Sequence, residues 1–489
     1  MSPKNASLMG TCLGSPRIDP ETEGLGAFVC RNEEAAVVTE AGKDRERIRQ
    51  ILELTEREQV KFVNLQFTDI VGMVKQVTIP AHELEDTLLH GKWFDGSSIE
   101  GFARIHESDM YLEPDLSTFG VLPFREGALT TAKVTCNICT PDGEAFLGDP
   151  RYILSLALKE AQALGFRFFT GPELEFYLFK INGDGGPTPL PHDEGSYFDI
   201  STDLASDVRK EMVEALELQG IAIETSHHEV GPGQHEIDMR YDEALTMADK
   251  VVEFKSTLKS VAHRHGLHAT FMPKPVYGMA GNGMHTHQSL WSIAEGKNAF
   301  YDPHDQYGLS EVAKQFIAGQ LAHARGMCVV LSPLVNSYKR LVAGFEAPVY
   351  VSWARTNRSA LIRIPKISPT KPEATRIELR SPDPTCNPYL AFAVMLRAGL
   401  DGIKKKMTLT QPIEEDLFEF TDEMMARHGV AVLPGSLHQA LDAMEQDEVV
   451  REALGPHIFE RFLEAKTMEW REFRQRVTSW EIERYLGVY

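Results

Sequence analysis

The sequence predicts an α+β protein with a small N-terminal domain rich in strands and a larger domain of mixed helices and strands. Its 489 residues exceed one ordinary domain and fit two or three. Short β-rich runs separated by turn residues fill positions 60–140, and helical and strand patterns alternate after them. We therefore expect a flexible extension over residues 1–43, a β-rich domain over 44–148 and a large domain over 149–489.

The N-terminal domain is expected to begin with a helix and continue as strands. In "KDRERIRQILELTERE" apolar residues recur at helical spacing, namely Ile48, Ile51, Leu52 and Leu54. The runs "VKFVNLQFTD", "VKQVTIP" and "TAKVTCNIC" are typical of strands. The last run holds a C-x-x-C pair, Cys136 and Cys139. Because no second pair follows at zinc-site spacing, we interpret both cysteines as structural.

The large domain opens with a predicted helix and a long strand. "PRYILSLALKEAQALG" has Pro150 near its start and Gly165 past its end, and "FRFFTGPELEFYLF" alternates as a strand. Further helices are predicted in "ALTMADKVVEFKSTLKSVAHRHG" and "SEVAKQFIAGQLAHARG", each ended by glycine, and in "NPYLAFAVMLRAGLDGIKKK", with Asn387 as N-cap. The C-terminal stretch from His457 is helical with an apolar stripe, which packs on its own domain or on a neighbouring subunit.

The charge and the ends of the chain exclude several classes of protein. A net charge of −21 argues against a nucleic-acid partner, since phosphate neutralisation needs a basic surface. No segment has the apolar core of a signal peptide or the length to span a membrane. We expect a cytoplasmic protein without a membrane partner. Most of the acidity is typical of a solvated surface, and the alternative is that some carboxylates bind cations.

Two pairs of glutamates are candidates for cation binding. Glu173 and Glu175 stand two apart on a predicted strand, so both point to one face. Glu229 and Glu236 flank a Gly-Pro-Gly turn that folds the chain back and brings them together. Neighbouring carboxylates repel each other unless a cation lies between them. A solvent-facing strand is the ordinary alternative for an isolated pair.

Two further patterns have the same period of two. His285 and His287 share a strand face in "GMHTHQSL", and Glu378 lies between Arg376 and Arg380 in "RIELR". Taken separately, each pattern is ordinary for a core or surface strand.

Considered together, these side chains indicate a metal-dependent phosphoryl-transfer site. Five glutamates and one histidine, oxygen-rich ligands, suit Mg²⁺ or Mn²⁺, and six ligands are enough for two ions. Arginines that bind phosphate or carboxylate cluster nearby, namely Arg340, Arg355, Arg358, Arg363, Arg376 and Arg380. No Walker-type phosphate loop or dinucleotide fingerprint accompanies them. Two metals with arginines are the apparatus for moving a phosphoryl group.

Six blocks in order resemble the signature motifs of a type I glutamine synthetase. They are "WFDGSSIEGFARIHESDMYL", "GPELEFYLF", "HHEVGPGQHE", "FMPKPVYGMAGNGMHTHQSL", "NSYKRLVAGFEAPVYVSWARTNRSALIRIP" and "RIELRSPDPTCNPYLAFA". The resemblance implies an N-terminal β-grasp domain and a catalytic domain with a curved, mostly antiparallel sheet flanked by helices. It implies that glutamate, ammonium and ATP give glutamine, ADP and phosphate through a γ-glutamyl phosphate. It also implies a dodecamer of two hexameric rings, with active sites between neighbours.

The resemblance also assigns roles to residues. One metal would be held by Glu175, Glu229 and Glu236, and the other by Glu173, His285 and Glu378. Residues matching those that contact substrate or its phosphate are Gly281, Arg340, Arg363 and Arg380, and those matching the ATP contacts are His287, Ser289, Arg358 and Arg376. Asp95 matches the aspartate that attracts ammonium and takes its proton, supplied by the adjacent subunit. Glu346 matches the flap glutamate that closes the site against water.

The sequence departs from the family pattern at informative positions. Ala280 replaces the asparagine that normally contacts glutamate, so either Asn282 or a water compensates, or amino-acid recognition is altered. Losing one donor would weaken binding by about 1–3 kcal/mol. Phe418 stands where some relatives carry an adenylylated tyrosine, so that switch is not expected here. Arg104 matches an arginine linked to feedback inhibition by glutamine in one subgroup.

Two alternatives to ammonia ligation stay open at this stage. A relative that joins a polyamine or another amine to glutamate would share the first half-reaction; Ala280 favours it, and Asp95 in an intact "DGSSIEG" argues against it. A catalytically silent sensor on the same fold would be expected to lose metal ligands, and all six are present.

Overall fold

The N-terminal domain is a six-stranded sheet with a helix at its start. The computed structural model describes residues 37–97, 99, 109–126, 129–343, 347–368, 370–415, 417, 420 and 422–489. The N-terminal strands are β1 (Val60–Thr68), β2 (Val74–Pro80), β3 (Lys92–Asp95), β4 (Asp109–Pro114), β5 (Gly120–Glu126) and β6 (Leu129–Cys139). They lie in the order β2-β1-β6-β4-β3, with β5 also on β6. Strands β1 and β6 run parallel, and the other pairs are antiparallel.

The first helix begins earlier than the sequence indicated. Helix α1 spans Val37–Arg57, and therefore starts inside the segment expected to be an extension. Ile48 and Ile51 are buried against the sheet, as their helical spacing predicts. Cys136 and Cys139 are both buried, and burial raises the pKa of the Cys136 thiol, which agrees with a structural role. The domain boundaries at 44 and 149 stay predictions.

The large domain is built on a twelve-stranded sheet within the described residues. Its strands are β7 (Phe166–Ile181), β8 (Pro187–Pro191), β9 (Ile223–His228), β10 (Gln234–Met239), β11 (Asp242–Glu243), β12 (Leu267–Thr270), β13 (Met284–Ser292), β14 (Lys297–Asn298), β15 (Tyr350–Ala354), β16 (Ala360–Arg363), β17 (Ile377–Leu379) and β18 (Ala431–Val432). The main order is β18-β15-β16-β17-β13-β7-β10-β9. The sheet is antiparallel except between β15 and β16, which agrees with the predicted architecture.

The helices after α1 belong to both domains: α2 packs in the N-terminal core, and most of the others pack on the large sheet or on each other. Their bounds are α2 (Leu84–His90), α3 (Pro150–Ala163), α4 (Ser206–Glu217), α5 (Ala244–Arg264), α6 (Glu311–Ala322), α7 (Ala324–Leu331), α8 (Ser337–Arg340), α9 (Pro388–Lys404), α10 (Asp422–His428), α11 (Leu437–Gln446), α12 (Glu448–Phe473) and α13 (Ser479–Tyr485). The predicted N-cap of α9 is confirmed, because the Asn387 side chain accepts from the backbone N–H groups of Tyr389 and Leu390. None of the described helices is long and apolar enough to cross a bilayer.

One predicted helix end is wrong. Gly326 was expected to end a helix that begins near Ser310, but the structure has α6 and α7 in succession, and Gly326 lies inside α7. A Cβ at this position would come within 2.5 Å of the Asp447 carboxylate. The glycine therefore allows close packing of α7 against the start of α12.

The two C-terminal helices differ in burial, and packing on the same domain is confirmed for α12. Ile458 and Phe462 of α12 are buried in the core of the large domain. In α13 and beyond, apolar side chains remain exposed, namely Trp480, Ile482, Tyr485, Leu486 and Val488.

Buried ionic contacts join the two domains. The guanidinium of Arg151, on α3, bonds to Asp115 at 2.6 Å in the N-terminal domain and to Asp249 at 3.0 Å on α5. The Asn387 side chain also donates to the Asp69 carbonyl at 2.9 Å. These contacts fix the N-terminal sheet next to the helices that carry the large sheet.

Candidate active site

The predicted carboxylates lie on neighbouring strands around β7. Glu175 pairs in register with Glu236 of β10, and Glu173 pairs with His285 of β13. Because alternate residues of a strand share a face, these side chains lie on one face of the sheet. The strand and turn predictions for all four glutamates are confirmed, including the reversal that joins β9 to β10 between Glu229 and Glu236.

Three of the six predicted ligands converge in the structure. One potential ligand atom each from Glu173, His285 and Glu378 lies within 4.8 Å of the others. Burial and the charge of Arg380 lower the pKa of His285 well below its usual range, so the imidazole is neutral and its lone pair is available. Two carboxylates and one neutral imidazole form a suitable donor set for a hard divalent cation.

Glu378 is held in its ionised form by two arginines. Arg363 Nε donates to Glu378 Oε2 at 2.5 Å, and Arg380 Nη1 donates to Oε1 at 2.6 Å. Only 1% of the Glu378 side chain is exposed. Burial alone would raise the pKa of this carboxyl, but neighbouring groups, among them the positive charges of Arg380 and Arg363, lower it to about 2.

His287 is oriented by contacts on both ring nitrogens. Arg376 Nε donates to His287 Nδ1 at 3.2 Å, and His287 Nε2 lies 2.7 Å from Glu173 Oε1. Since Nδ1 accepts, Nε2 carries the proton and donates to the carboxylate. Ser289 follows on the same face of β13 and is buried. Arg376 thus positions His287, which positions Glu173.

The other predicted metal set does not converge in the same way. Among the described residues, Glu175, Glu229 and Glu236 do not form a group with ligand atoms all within 4.8 Å. Glu175 Oε2 accepts from the Gly283 amide at 2.9 Å and from Gln234 Nε2 at 3.2 Å. Glu236 instead lies with His227 and Asp238.

Mutual repulsion is strong among these carboxylates. Burial raises the pKa of Glu236 well above its usual range, and the charges of the nearby carboxylates raise it further, namely Asp238, Glu175, Glu173 and Glu229. Burial also raises the pKa of Glu175, against the opposing charge of Arg340. A divalent cation would offset this repulsion, so this side of the face also has the chemistry of a cation site.

Two glycines let Arg340 pack closely on the site. A Cβ on Gly281 would lie 2.9 Å from Arg340 Cγ, and one on Gly283 would lie 2.7 Å from Arg340 Nη2. Arg340 is buried and donates to the backbone carbonyls of Ser381 at 2.9 Å and Arg380 at 3.1 Å. Arg340 therefore forms part of the wall beside Glu175.

Comparison with known proteins agrees with this arrangement. Residues 147–485 match the family described as "Glutamine synthetase, catalytic domain", and residues 59–141 match "Glutamine synthetase, beta-Grasp domain". The chain belongs to the glutamine synthetase family. The predicted α+β architecture with an N-terminal β-grasp domain is confirmed by these matches.

Individual glutamine synthetases are similar over nearly their whole length. One from Methanosarcina mazei is 50% identical over 439 residues, covering 90% of this chain and 97% of that protein. One from Thermus thermophilus is 49% identical over 447 residues, covering 90% and 99%. A solved GmaS/ADP complex superposes with a TM-score of 0.80 at 32% identity, covering 89% of this chain and 99% of that one. The chain is therefore an ATP-dependent ligase that makes glutamine from glutamate and ammonia.

The structure decides one departure from the glutamine synthetase pattern. Asn282 is 0% exposed, its Nδ2 donates to the Met272 carbonyl at 2.9 Å, and its Oδ1 accepts from Gln234 at 3.1 Å. Both ends of this amide are engaged inside the protein, so Asn282 does not compensate for Ala280. Two explanations of Ala280 remain: a bound water replaces the missing donor, or the recognition of the amino-acid substrate is altered.

The remaining predicted residues lie outside the Glu173, His285 and Glu378 group. Arg358 is exposed in the turn between β15 and β16, and its positive charge opposes the raising of the Tyr197 pKa by burial and by Glu229 and Glu236, so it lies near that side of the face. Arg355 stacks on Tyr307 and serves the fold. Asp95 is exposed at the end of β3, and no described hydrogen bond or ion pair joins it to the catalytic carboxylates. Residues outside the described part of the chain are Arg104, Glu346 and Phe418.

The structure adds residues that the sequence patterns missed. Tyr197 contacts the His227 ring edge-on at 5.5 Å between centroids. Its pKa is raised by burial and by the nearby carboxylates of Glu229 and Glu236. Asp238 pairs in register with Glu173 on the same face of the sheet. The period of two in "EIDM" was the available signal for Asp238, whereas Tyr197 lies in a loop without a pattern.

Proposed function

We propose that the carboxylate face of β7, β10, β13 and β17 is the active site of this ligase. The observation that supports this most is the convergence of Glu173, His285 and Glu378 beside two arginines. At this face the γ-carboxylate of glutamate attacks the terminal phosphorus of ATP, and ADP leaves. Ammonia then attacks the γ-glutamyl phosphate, which releases phosphate and gives glutamine.

The two predicted ligand sets would hold two divalent cations, Mg²⁺ or Mn²⁺. Glu173, His285 and Glu378 would hold one of them, and Glu175, Glu229 and Glu236 the other. When bound, these cations supply positive charge that stabilises a transferring phosphoryl group. Two of the proposed ligands are already arranged for binding: Glu378 is ionised, and Glu173 is oriented by its contact with His287.

The arginines and their neighbours divide between the substrates. Those assigned to ATP and its phosphates are Arg358, Arg363, Arg376, His287 and Ser289. Those assigned to glutamate are Arg340, Arg380 and Gly281. Arg363 is 29% exposed while its Nε holds Glu378, which leaves its terminal nitrogens for a phosphate oxygen. The packing of Arg340 on Gly281 supports a shared glutamate pocket.

Asp95 and Glu346 complete the ammonia half-reaction. Hydrogen bonds from Ser97 lower the pKa of the Asp95 carboxyl, so it is ionised and suited to bind ammonium and take its proton. Glu346 closes the site, because water would otherwise hydrolyse the acyl phosphate. In a Glu346→Ala variant, we expect more phosphate released per glutamine formed; an unchanged ratio overturns the flap role.

We infer that Asp95 acts in the site of a neighbouring subunit, within a dodecamer of two hexameric rings. Asp95 and the adjacent Trp93 are exposed on β3, and the C-terminal helix α13 exposes apolar side chains. Exposed apolar surface of this kind marks interfaces. Light scattering of the purified protein tests this: a fully active monomer would overturn the shared site.

The proposed reaction is tested by supplying ATP, glutamate and Mg²⁺ or Mn²⁺ with ammonium, methylamine or a polyamine. We expect phosphate release matched by glutamine formation with ammonium. Turnover with polyamine alone would favour the γ-glutamyl-amine ligase, for which Ala280 is the specific observation. No turnover with any acceptor would favour a sensor without catalysis.

A further inference from the structure

A buried ionic pair lies directly behind the Glu229 turn. Asp193 and His228 have fully buried side chains, and His228 Nε2 lies 2.9 Å from Asp193 Oδ1. His228 Nδ1 lies 2.7 Å from the carbonyl oxygen of Glu229. His228 thus bridges the Glu229 carbonyl and the Asp193 carboxylate through its two ring nitrogens. Although burial alone would raise the pKa of Asp193, the His228 hydrogen bond helps to lower it.

The Asp193 carboxylate also bonds to three backbone amides in two segments. Oδ1 accepts from Gly233 at 2.9 Å, in the turn between Glu229 and Glu236, and from Gly195 at 3.4 Å. Oδ2 accepts from Leu204 at 3.1 Å. Asp193 therefore ties the catalytic turn to both ends of residues 193–204, which we call the Tyr197 loop.

A second ion pair holds the end of the same loop. Arg209 donates to both carboxylate oxygens of Asp203, at 2.9 and 2.6 Å. The same guanidinium lies 3.1 Å from Nδ1 of His235, which precedes Glu236 on β10. The first pair therefore connects the Tyr197 loop to the backbone of the Glu229 turn, and the second connects it to the His235 side chain on β10.

The loop presents two aromatic residues over the carboxylates. The Tyr197 and Phe198 rings lie with centroids 3.9 Å apart and planes tilted by 40°, and both contact the His227 ring edge-on. Phe198 is 62% exposed and has a φ of +62°, a left-handed conformation that bulky residues rarely adopt. Such a conformation persists only where the surrounding structure imposes it, and it is concentrated at functional sites.

We propose that the Asp193–His228 pair is a positioning device that locks the Tyr197 loop to the Glu229 turn, so that Tyr197 and Phe198 stand beside Glu229 and Glu236. The proposal rests on the proposed function, because it assigns Glu229 and Glu236 to a cation. Asp193 and His228 are fully buried behind the turn and act on it through the Glu229 carbonyl and the Gly233 amide. The positioning is specific to the Glu229 side and does not extend to the Glu173, His285 and Glu378 group.

Two variants disturb this pair by different routes. Asp193→Asn keeps the size of the side chain but removes the charge opposite His228. Gly195→Ala changes no ionisable group, yet its Cβ would lie 2.7 Å from His228 Nε2. The matched controls are Asp184→Asn, an exposed aspartate in the turn between β7 and β8 and outside the Tyr197 loop, and Gly183→Ala, where a Cβ meets open space.

The readouts are Mn²⁺ binding followed by electron paramagnetic resonance, the KM for ATP, kcat for glutamine formation, and the melting temperature. We expect both variants to weaken one class of Mn²⁺ site and to lower kcat, each by about 10–100-fold. The KM for ATP should stay within about twofold, and the controls should match the wild type in every readout.

An activity loss that only follows the loss of folded protein, with Mn²⁺ affinity unchanged, would overturn the proposal. If Asp193→Asn does not fold, the measurements on Gly195→Ala decide whether the pair positions the Glu229 turn. If neither variant folds, the pair has a purely structural role, and the proposal is overturned. If the wild type forms no glutamine, the proposed function fails. Mn²⁺ binding to the variants then still decides whether the pair positions the Glu229 side.

Discussion

Arg363 and Glu378 face each other across β16 and β17, and Arg363 Nε donates to Glu378 Oε2 at 2.5 Å. Together with the Arg380 contact, it helps to keep a buried carboxylate ionised next to Glu173 and His285. The arginine expected to bind phosphate therefore also holds a proposed metal ligand. The Arg363–Glu378 pair therefore links the proposed phosphate binding to the proposed metal binding.

Replacing Glu378 with Gln tests its role as an anionic ligand. The side chain keeps its shape but loses its charge, so cation binding is weakened and Arg363 and Arg380 lose their ionic partner. We expect kcat/KM to fall by more than about 100-fold and one class of Mn²⁺ site to disappear. The exposed Glu373→Gln is the control, and equal activity of the two variants would contradict the assignment.

Gly283→Ala tests the close packing in the site. Its Cβ would lie 2.7 Å from Arg340 Nη2, 3.1 Å from His285 Nε2 and 3.3 Å from Glu175 Oε1. Because the neighbours belong to a crowded polar cluster, we expect a loss of activity of about 10–100-fold with the fold retained. Gly183→Ala, which meets open space, should be silent. A fully active Gly283→Ala enzyme would show that the Arg340 wall is not needed.

Ala280→Asn tests the departure from the family pattern. The backbone at this position is fixed, since the Ala280 carbonyl accepts from the Tyr177 hydroxyl at 2.9 Å. An added amide should restore a donor to glutamate and lower its KM by about tenfold, at about 1.4 kcal/mol for one hydrogen bond. Ala280→Val adds bulk without an amide and should not lower the KM. If both variants behave alike, position 280 does not contact glutamate.

His323 predicts a pH-dependent contribution to stability. Burial alone would lower its pKa, but hydrogen bonds with Asp447 and Asp401 raise it above the ordinary value. A histidine whose pKa is higher in the folded protein than in the unfolded chain stabilises the fold. This contribution is fully present below the unfolded pKa of about 6.5 and is lost as the pH rises through the folded pKa.

The test for His323 compares the melting temperature of His323→Gln with that of the wild type at two pH values. We expect the substitution to cost about 2 kcal/mol near pH 6 and less than about 1 kcal/mol near pH 9. The exposed His82→Gln serves as the control. A cost independent of pH would mean that His323 is not charged in the folded protein.

Asn387 is expected to contribute to stability in two separable ways. It caps α9 and donates to the Asp69 carbonyl in the N-terminal domain. Asn387→Ala removes both interactions and should cost about 2 kcal/mol, whereas Asn387→Ser keeps a cap and should cost about 1 kcal/mol. Thermal unfolding distinguishes the two, and equal costs would mean that the cap makes no contribution.

Periodicity was enough to predict the strands that carry the site and the face on which their side chains lie. The period of two in "ELE", "HTH" and "RIELR" places chemistry-bearing residues on one face, as found for Glu173, His285 and Glu378. The N-cap of α9 was also predictable, since Asn387-Pro388 is a local signal.

The features that the sequence patterns did not predict depend on contacts between distant segments. Gly326 lies inside α7 and does not end a helix. Its missing Cβ leaves room for the carboxylate of Asp447, which caps α12. Asn282 is buried because Met272 and Gln234 engage both ends of its amide. The position of Tyr197 depends on a buried carboxylate outside any motif. Local patterns do not carry such information, because tertiary packing determines it.

If a glutamate oxygen attacks ATP at this face, that oxygen must end in the released phosphate, and isotope transfer shows whether it does. Glutamate labelled with ¹⁸O in both γ-carboxylate oxygens is turned over with ATP, ammonium and Mg²⁺. We expect each phosphate released to carry one ¹⁸O atom and the glutamine amide carbonyl to keep the other. Phosphate without ¹⁸O, formed together with glutamine, would contradict a γ-glutamyl phosphate and the mechanism proposed for this site.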